Sequence, residues 1–200
     1  MQLHQGQRDI EGGYLRDFIS RAASQMAVSA DAITEAQFDR ICSLLIDPKR
    51  DVYVLGGRIS DSIAQHISFH LRQTRQGVYH LPASVEIWPE YLLRMRRGDI
   101  LFVVDFRRYQ AGLEQLADKA VNRVGAKVIL MTDKWISPIA RHAAEILPVP
   151  IESGTLWDTY APALTIAEAI VTRIAEDNFD VTRSRIEAWD TFRRNTQDSA

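Results

Sequence analysis

Cysteine is almost absent: Cys42 is the only one in 200 residues. An intrachain disulfide and a cysteine-based zinc site are therefore excluded, and a reduced, cytoplasmic setting is expected. Cys42 stands among Ile41, Leu44 and Leu45, where a buried small apolar group is expected rather than a nucleophile. No apolar run approaches the roughly 20 residues that cross a bilayer, and the first residues are too polar for a signal peptide. The formal net charge of −2 provides no whole-chain attraction to nucleic acid. Trp88, Trp135, Trp157 and Trp189 are too scattered to form a stacking platform for single strands. What remains is 46% hydrophobic and 25% charged, enough for one α/β domain with helical extensions.

The chain is organised around Asp51-Val-Tyr-Val-Leu-Gly-Gly-Arg-Ile-Ser60. Val52 to Leu55 has the composition of a strand buried on both faces. Gly56 and Gly57 break it, and Ser60, Asp61 or Ser62 can cap the helix that follows to about Arg72. Ile63, Ala64, Ile67 and Leu71 give that helix one face for packing on a sheet. Such a strand–glycine–helix turn presents free amides and the positive end of the helix dipole to an anion, or is simply a tight turn.

Ahead of it, Met1 to Gly13 reads as a loosely held start. Tyr14 to Met26 is helical in pattern. A second helix runs from Thr34 to near Ile46, opened by a Thr34/Gln37 capping box and an Ile33/Phe38 staple. Beyond, the unit repeats. Gly77 precedes Val78 to Leu81, Gly98 precedes Ile100 to Val104, and Gly125 precedes Val128 to Met131, each glycine suited to a left-handed helix end. Helical patterns cover Ile87 to Arg96 and Tyr109 to Val124. Ser137-Pro138 starts a short helix through His142, and Ile146 to Val149 is a fifth strand. A long helix begins between Asp158 and Pro162 and runs to about Asp177; Thr182 to Arg194 is a last helical piece. The pattern predicts a doubly wound, five-stranded parallel sheet in flavodoxin-like order 2-1-3-4-5. The expected divisions are an N-terminal helical extension over 1–48, the α/β domain over 49–180, and a C-terminal helix and tail over 181–200.

In that order strands one and three are neighbours whose connections leave in opposite directions, and ligands bind beyond the carboxyl ends at such a point. The loops there are Gly56 to Ser60 and Asp105-Phe-Arg-Arg-Tyr109, bordered by Thr132 and Asp133. Arg58, Arg107 and Arg108 could hold a phosphate or carboxylate by bidentate charge-assisted bonds; equally, Asp105 could pair with one of these arginines. A phosphoryl-accepting receiver would need a magnesium-binding acidic pair where Gly56, Gly57 and Arg58 stand, and a lysine where Pro148 and Pro150 stand. A dinucleotide fold would need G-x-G-x-x-G and an acid ending strand two, where Leu81-Pro82 stands. His66 and His70 have the i, i+4 spacing of metal ligands, but no neighbouring Glu or Cys completes a set, so no metal or cofactor is expected. Glu168 is a candidate base if it faces the crevice.

Val52 to Leu71, the loop at Asp105, and Gly125-Ala-Lys-Val-Ile-Leu-Met-Thr132 together resemble the SIS (sugar isomerase) fold. More narrowly, Gly56 to Ser60, Asp105 to Tyr109, and Thr132-Asp133 through Ser137-Pro138 resemble RpiR/MurR-type bacterial transcription regulators. The resemblance covers roughly residues 40 to 178. It implies a sensor of a phosphosugar or related anionic carbohydrate derivative that forms homodimers or tetramers. The implied ligand residues are Gly56, Gly57, Arg58, Ser60, Asp105, Arg107, Arg108, Tyr109, Thr132 and Asp133. Ser60 carries over as the phosphate-contacting position of the family's G-x-G-x-S loop. Arg58 replaces the second glycine, and Asp105 to Tyr109 replace a serine-rich S-x-S-G-x-T loop, which implies an acid or phosphate held by arginine. DNA would be met only through a helix-turn-helix, which Met1 to Pro48 does not spell. A sugar-phosphate isomerase using Glu168 is the alternative.

Overall fold

The structure is a computed structural model and describes residues 13–197, with side chains through residue 194. The expectation of a loosely held start lies outside the described residues, apart from Gly13. The elements in order are α1 (Tyr14–Ala32), α2 (Glu35–Ile46), β1 (Val52–Gly56), α3 (Asp61–Thr74) and β2 (Val78–His80). A 3-10 turn (Val85–Ile87) leads into α4 (Trp88–Arg94), followed by β3 (Ile100–Asp105) and α5 (Ala111–Lys119), which a π-turn (Ala120–Val124) extends. Then come β4 (Lys127–Thr132), a 3-10 turn (Pro138–His142), β5 (Ala143–Pro148), α6 (Ala161–Asp177) and α7 (Phe179–Gln197).

The strands pair in parallel in the order β2-β1-β3-β4-β5, as the crossover rules predict. Successive residues of a strand point to opposite faces, and both faces here are apolar. Val52, Val54, Ile100, Phe102, Ile129 and Met131 pack under α2, α3 and α6. Tyr53, Leu55, Leu101, Val103, Val128 and Leu130 pack under α4 and α5. Burial on both faces explains why the runs are continuous rather than alternating. α2 supplies Ile41, Cys42 and Leu45 to the first of these cores. There burial pushes the Cys42 thiol up to about 12, so it stays an inert, protonated packing group.

Boundaries differ from expectation where the local pattern is weak. α1 runs on to Ala32 through a small-residue stretch, and β5 starts at Ala143, before its apolar run. The second helix is capped by Thr34, which accepts from the Gln37 N–H at 3.3 Å. Gln37 does not reciprocate: its side-chain amide donates to the Ile146 carbonyl at 2.7 Å, tying α2 to β5. None of Ser60, Asp61 and Ser62 caps α3 in the ordinary way, because their oxygens are engaged in other bonds.

The amino edge of the sheet is closed by polar bonds. Buried Asp99 accepts from the Asp51 and Arg96 N–H groups at 3.0 and 2.8 Å, and the Arg75 guanidinium donates to the Leu45 and Arg50 carbonyls. The carboxyl edge has long loops instead.

Gly56 marks where α3 folds back over the end of β1: a Cβ there would sit 2.6 Å from the Asp61 backbone N and Cα. Backbone cannot yield as a flexible side chain can, and overpacking of this kind costs about 1–3 kcal/mol. Gly56→Ala is therefore expected to lower unfolding stability by that amount in urea titrations; an unchanged midpoint would contradict this packing.

Candidate functional site

Four strands deliver loops to the carboxyl edge, and each is held by identifiable bonds. After β1, the Gly57 N–H is shared between the Val104 carbonyl at 3.1 Å and Ser60 Oγ at 2.9 Å. Ser60 Oγ in turn donates to the Val104 carbonyl at 2.7 Å. The buried hydroxyl thus ties the turn to β3, and its only proton is already used. The Gly56 N–H donates to Asp61 Oδ1 at 2.9 Å, the same oxygen that lies 2.9 Å from His80 Nε2 at the end of β2. Burial alone would raise the Asp61 pKa, but the bonds from His80, Gln65 and Gly56 outweigh it and hold the carboxyl below its usual range.

β3 and β4 end in two buried acids. Asp105 Oδ2 accepts from Ser137 Oγ at 2.5 Å, while Thr132 Oγ1 donates to the Asp105 carbonyl at 2.8 Å and accepts from the Ser137 N–H at 3.0 Å. Asp133 accepts from the Arg107 N–H at 2.7 Å, the Tyr109 hydroxyl at 2.5 Å and the Trp135 N–H at 3.1 Å. One carboxylate therefore fixes two loops against each other. Burial and the bond to Asp133 push the Tyr109 hydroxyl above its ordinary range. Asp105 is raised to about 6, first by burial and also by neighbouring Asp133, against the opposing bonds from Ser137 and the Gln110 N–H. Two non-glycine residues in these loops have left-handed backbones, Arg108 (φ 66°) and Ile136 (φ 58°). For β-branched Ile136 that conformation stores strain, and the bonds around Asp133 and Ser137 hold it in place.

The three arginines are disposed differently from one another. Arg58 is exposed and makes no ion pair with a described residue. Arg107 turns toward the loops after β4 and β5: its guanidinium lies 3.8 Å from the Trp135 ring centre, 3.4 Å from Glu152 Oε1 and 3.6 Å from Asp158 Oδ1. Lys134 also bonds Glu152. Arg108 acts electrostatically on Asp158, whose pKa burial raises and Arg107 lowers in part. Asp105 takes its hydrogen bonds from Ser137 and Gln110.

Gly57 is the floor where the loops of β1 and β3 meet. A Cβ there would face Ser60 Oγ at 3.1 Å, Asp105 Oδ1 at 3.6 Å and Gln110 Nε2 at 3.9 Å. Gln110 is the N-cap of α5 but makes no side-chain cap bond, so the start of α5 is not closed by its own residue. Glu168 is exposed on α6 and acts on His66 of α3.

Sequence reasoning missed His80, Gln110, Trp135, Glu152 and Asp158. Glu152 and Asp158 were legible in one respect only: they follow β5, so the topology places them at the same edge as Asp105 and Asp133.

A family model described as the SIS domain matches residues 44–173. The chain belongs to the SIS domain family. Solved structures with the same fold include the sugar isomerase domain of an RpiR transcription factor from Sphaerobacter thermophilus, 14% identical, with a TM-score of 0.79 over 88% of this chain and 98% of that one. The Vibrio vulnificus NanR protein complexed with ManNAc-6P is 16% identical, with a TM-score of 0.75 over 90% of this chain and 69% of that one. The E. coli CFT073 protein c3406, in complex with a sugar phosphate, is 15% identical, with a TM-score of 0.72 over 88% of this chain and 95% of that one. At such identities the likeness is one of fold. No curated protein matches by sequence.

The raised pKa of Asp105 in this SIS domain makes a pH-dependent prediction. A carboxyl raised by folding contributes stability that is fully present below its unfolded value and is lost as pH rises through about 6. Asp105→Asn should stabilise the protein at pH 8 by up to ~3 kcal/mol and change little at pH 4. Urea denaturation at the two pH values checks this; destabilisation at pH 8 would show that the ionised carboxylate is needed by its neighbours.

Proposed function

We propose that this SIS domain is the metabolite-sensing part of an RpiR-like transcriptional regulator. It binds a phosphosugar or related anionic carbohydrate derivative at the carboxyl edge of the sheet. The observation that carries the reading is the convergence over Gly57, where polar groups of the β1 and β3 loops meet beside an α5 N-terminus that lacks a side-chain cap. Helix N-termini and unobstructed glycine backbone favour anions.

In this reading Gly56, Gly57, Arg58 and Ser60 form one wall, and Asp105, Arg107, Arg108 and Tyr109 the other. Thr132 and Asp133 hold the second wall in place. Arg107 reaches the ligand by exchange: its bonds to Glu152 and Asp158 are those an incoming phosphate would replace, with like charge and similar geometry. Ser60 shapes the turn, since its proton is donated to β3. The domain assembles as a homo-oligomer, and DNA is contacted by a helix-turn-helix outside these 200 residues. Support for a phosphosugar comes from two structural neighbours, NanR with ManNAc-6P and c3406 with its sugar phosphate.

A second reading, sugar-phosphate isomerisation, is favoured by one observation: Asp105, near neutrality at about 6, has Oδ1 facing Gly57. It is better placed as a base than Glu168. Deuterium exchange at C2 of an aldose or ketose phosphate, abolished in Asp105→Asn, would favour it.

Arg107→Ala/Arg108→Ala tests the sensor reading. Each charge-assisted bond is worth about 1.5–3 kcal/mol, so affinity for ManNAc-6P or arabinose 5-phosphate should fall at least tenfold by calorimetry. Unchanged affinity would remove the arginines from the site.

A further inference from the structure

Beside the crevice lies a second cleft of about 520 Å³, walled on one side by α1 and on the other by the loops after β4 and β5. That volume lies within the range of small-molecule sites, roughly 300–1,000 Å³. The α1 wall presents Asp17, Ser20, Arg21 and Ser24; the opposite wall presents Lys134 and Glu152. Asp17 Oδ2 and Arg21 Nη1 form an ion pair at 2.6 Å, yet Arg21 Nε is buried without an acceptor among the described residues. Ser24 Oγ is bonded back to the Ser20 carbonyl of its own helix at 3.0 Å.

The chemistry of this lining selects against most ligands. It holds two carboxylates and two cations, so neither a second anion nor a cation gains net attraction. Among the described residues no apolar side chain lines it, so an aromatic or aliphatic body gains no burial. Hydroxyl groups fit, because each can donate to a carboxylate and accept from a guanidinium or ammonium. The cleft also joins the crevice through a single residue. Glu152 Oε1 faces Lys134 in the cleft wall and Arg107 in the crevice.

We propose that this cleft is a second ligand subsite, taking the uncharged, hydroxyl-bearing part of a sugar whose anionic group is held by the Arg107–Arg108 loop. The proposal rests on the sensor reading and adds that α1 is part of the binding site. Glu152 is the pivot: when phosphate takes Arg107, Glu152 is released toward Lys134 and the sugar hydroxyls. Specificity among phosphosugars is then set by α1, through Ser20, Arg21 and Ser24, while the phosphate is read at the β3 loop.

The test is a 31P NMR titration of the full chain with ManNAc-6P, arabinose 5-phosphate and inorganic phosphate, together with saturation transfer to the sugar protons. Ser24→Trp fills the cleft from an exposed helix position, and Arg21→Gln removes its charge with little change in bulk. Both variants should bind inorganic phosphate as the parent does. Both should lose tenfold or more in affinity for the two sugar phosphates, with saturation transfer to the sugar ring lost. Arg107→Ala/Arg108→Ala should weaken all three probes. If both α1 variants fold and bind the sugar phosphates unchanged, the subsite is overturned and the sensor reading stands. If neither sugar phosphate binds the parent chain, the sensor reading falls and the subsite with it.

Discussion

The Asp133 carboxylate is the constraint on which the carboxyl edge depends. It is fully buried, and it is satisfied by two backbone N–H groups and one phenol rather than by a cation. A buried charge held this way needs every donor in place. The loop after β3 and the loop after β4 therefore have one mutual arrangement. That arrangement holds Arg107 over Trp135, keeps Ile136 in a left-handed backbone, and places Ser137 where it can bond Asp105. Asp105, next in line, bears the electrostatic consequence: a second acid in the same dry region is driven toward its neutral form.

The result is an edge that is rigid beneath and exchangeable above. Ser60, Thr132, Asp133 and Ser137 spend their hydrogen bonds on the scaffold. The ion pairs of Arg107 and Lys134 with Glu152 and Asp158 are only partly buried, and such pairs contribute little to stability. They can be traded for ligand contacts without loosening the sheet. Burial of β1, β3 and β4 on both faces keeps the floor fixed while the loops above exchange partners.

The sheet order was legible because it follows from few facts: apolar strands without alternation, glycines closing helices, and short right-handed crossovers. Gly56 was legible as a turn, though its reason, the backbone of Asp61 folding over it, was not. The weakest local signals produced the displaced boundaries, as at β5, whose first residues Ala143 to Glu145 carry no apolar run. The partners of the arginines were not legible at all. Arg107 and Glu152 are 45 residues apart, and nothing in a polar stretch around Gly154 distinguishes an acid that bonds a crevice arginine from one that faces water. Likewise Ser60 has the spacing of a phosphate contact, but only three dimensions show its proton donated to Val104.

A crystal structure with ManNAc-6P bound would test the exchange at Arg107 most directly. Exchange predicts phosphate oxygens within hydrogen-bond distance of Arg107 or Arg108 and near the start of α5, with Glu152 moved off the guanidinium. A phosphate bound elsewhere, with Arg107 still resting on Glu152 and Asp158, would contradict it.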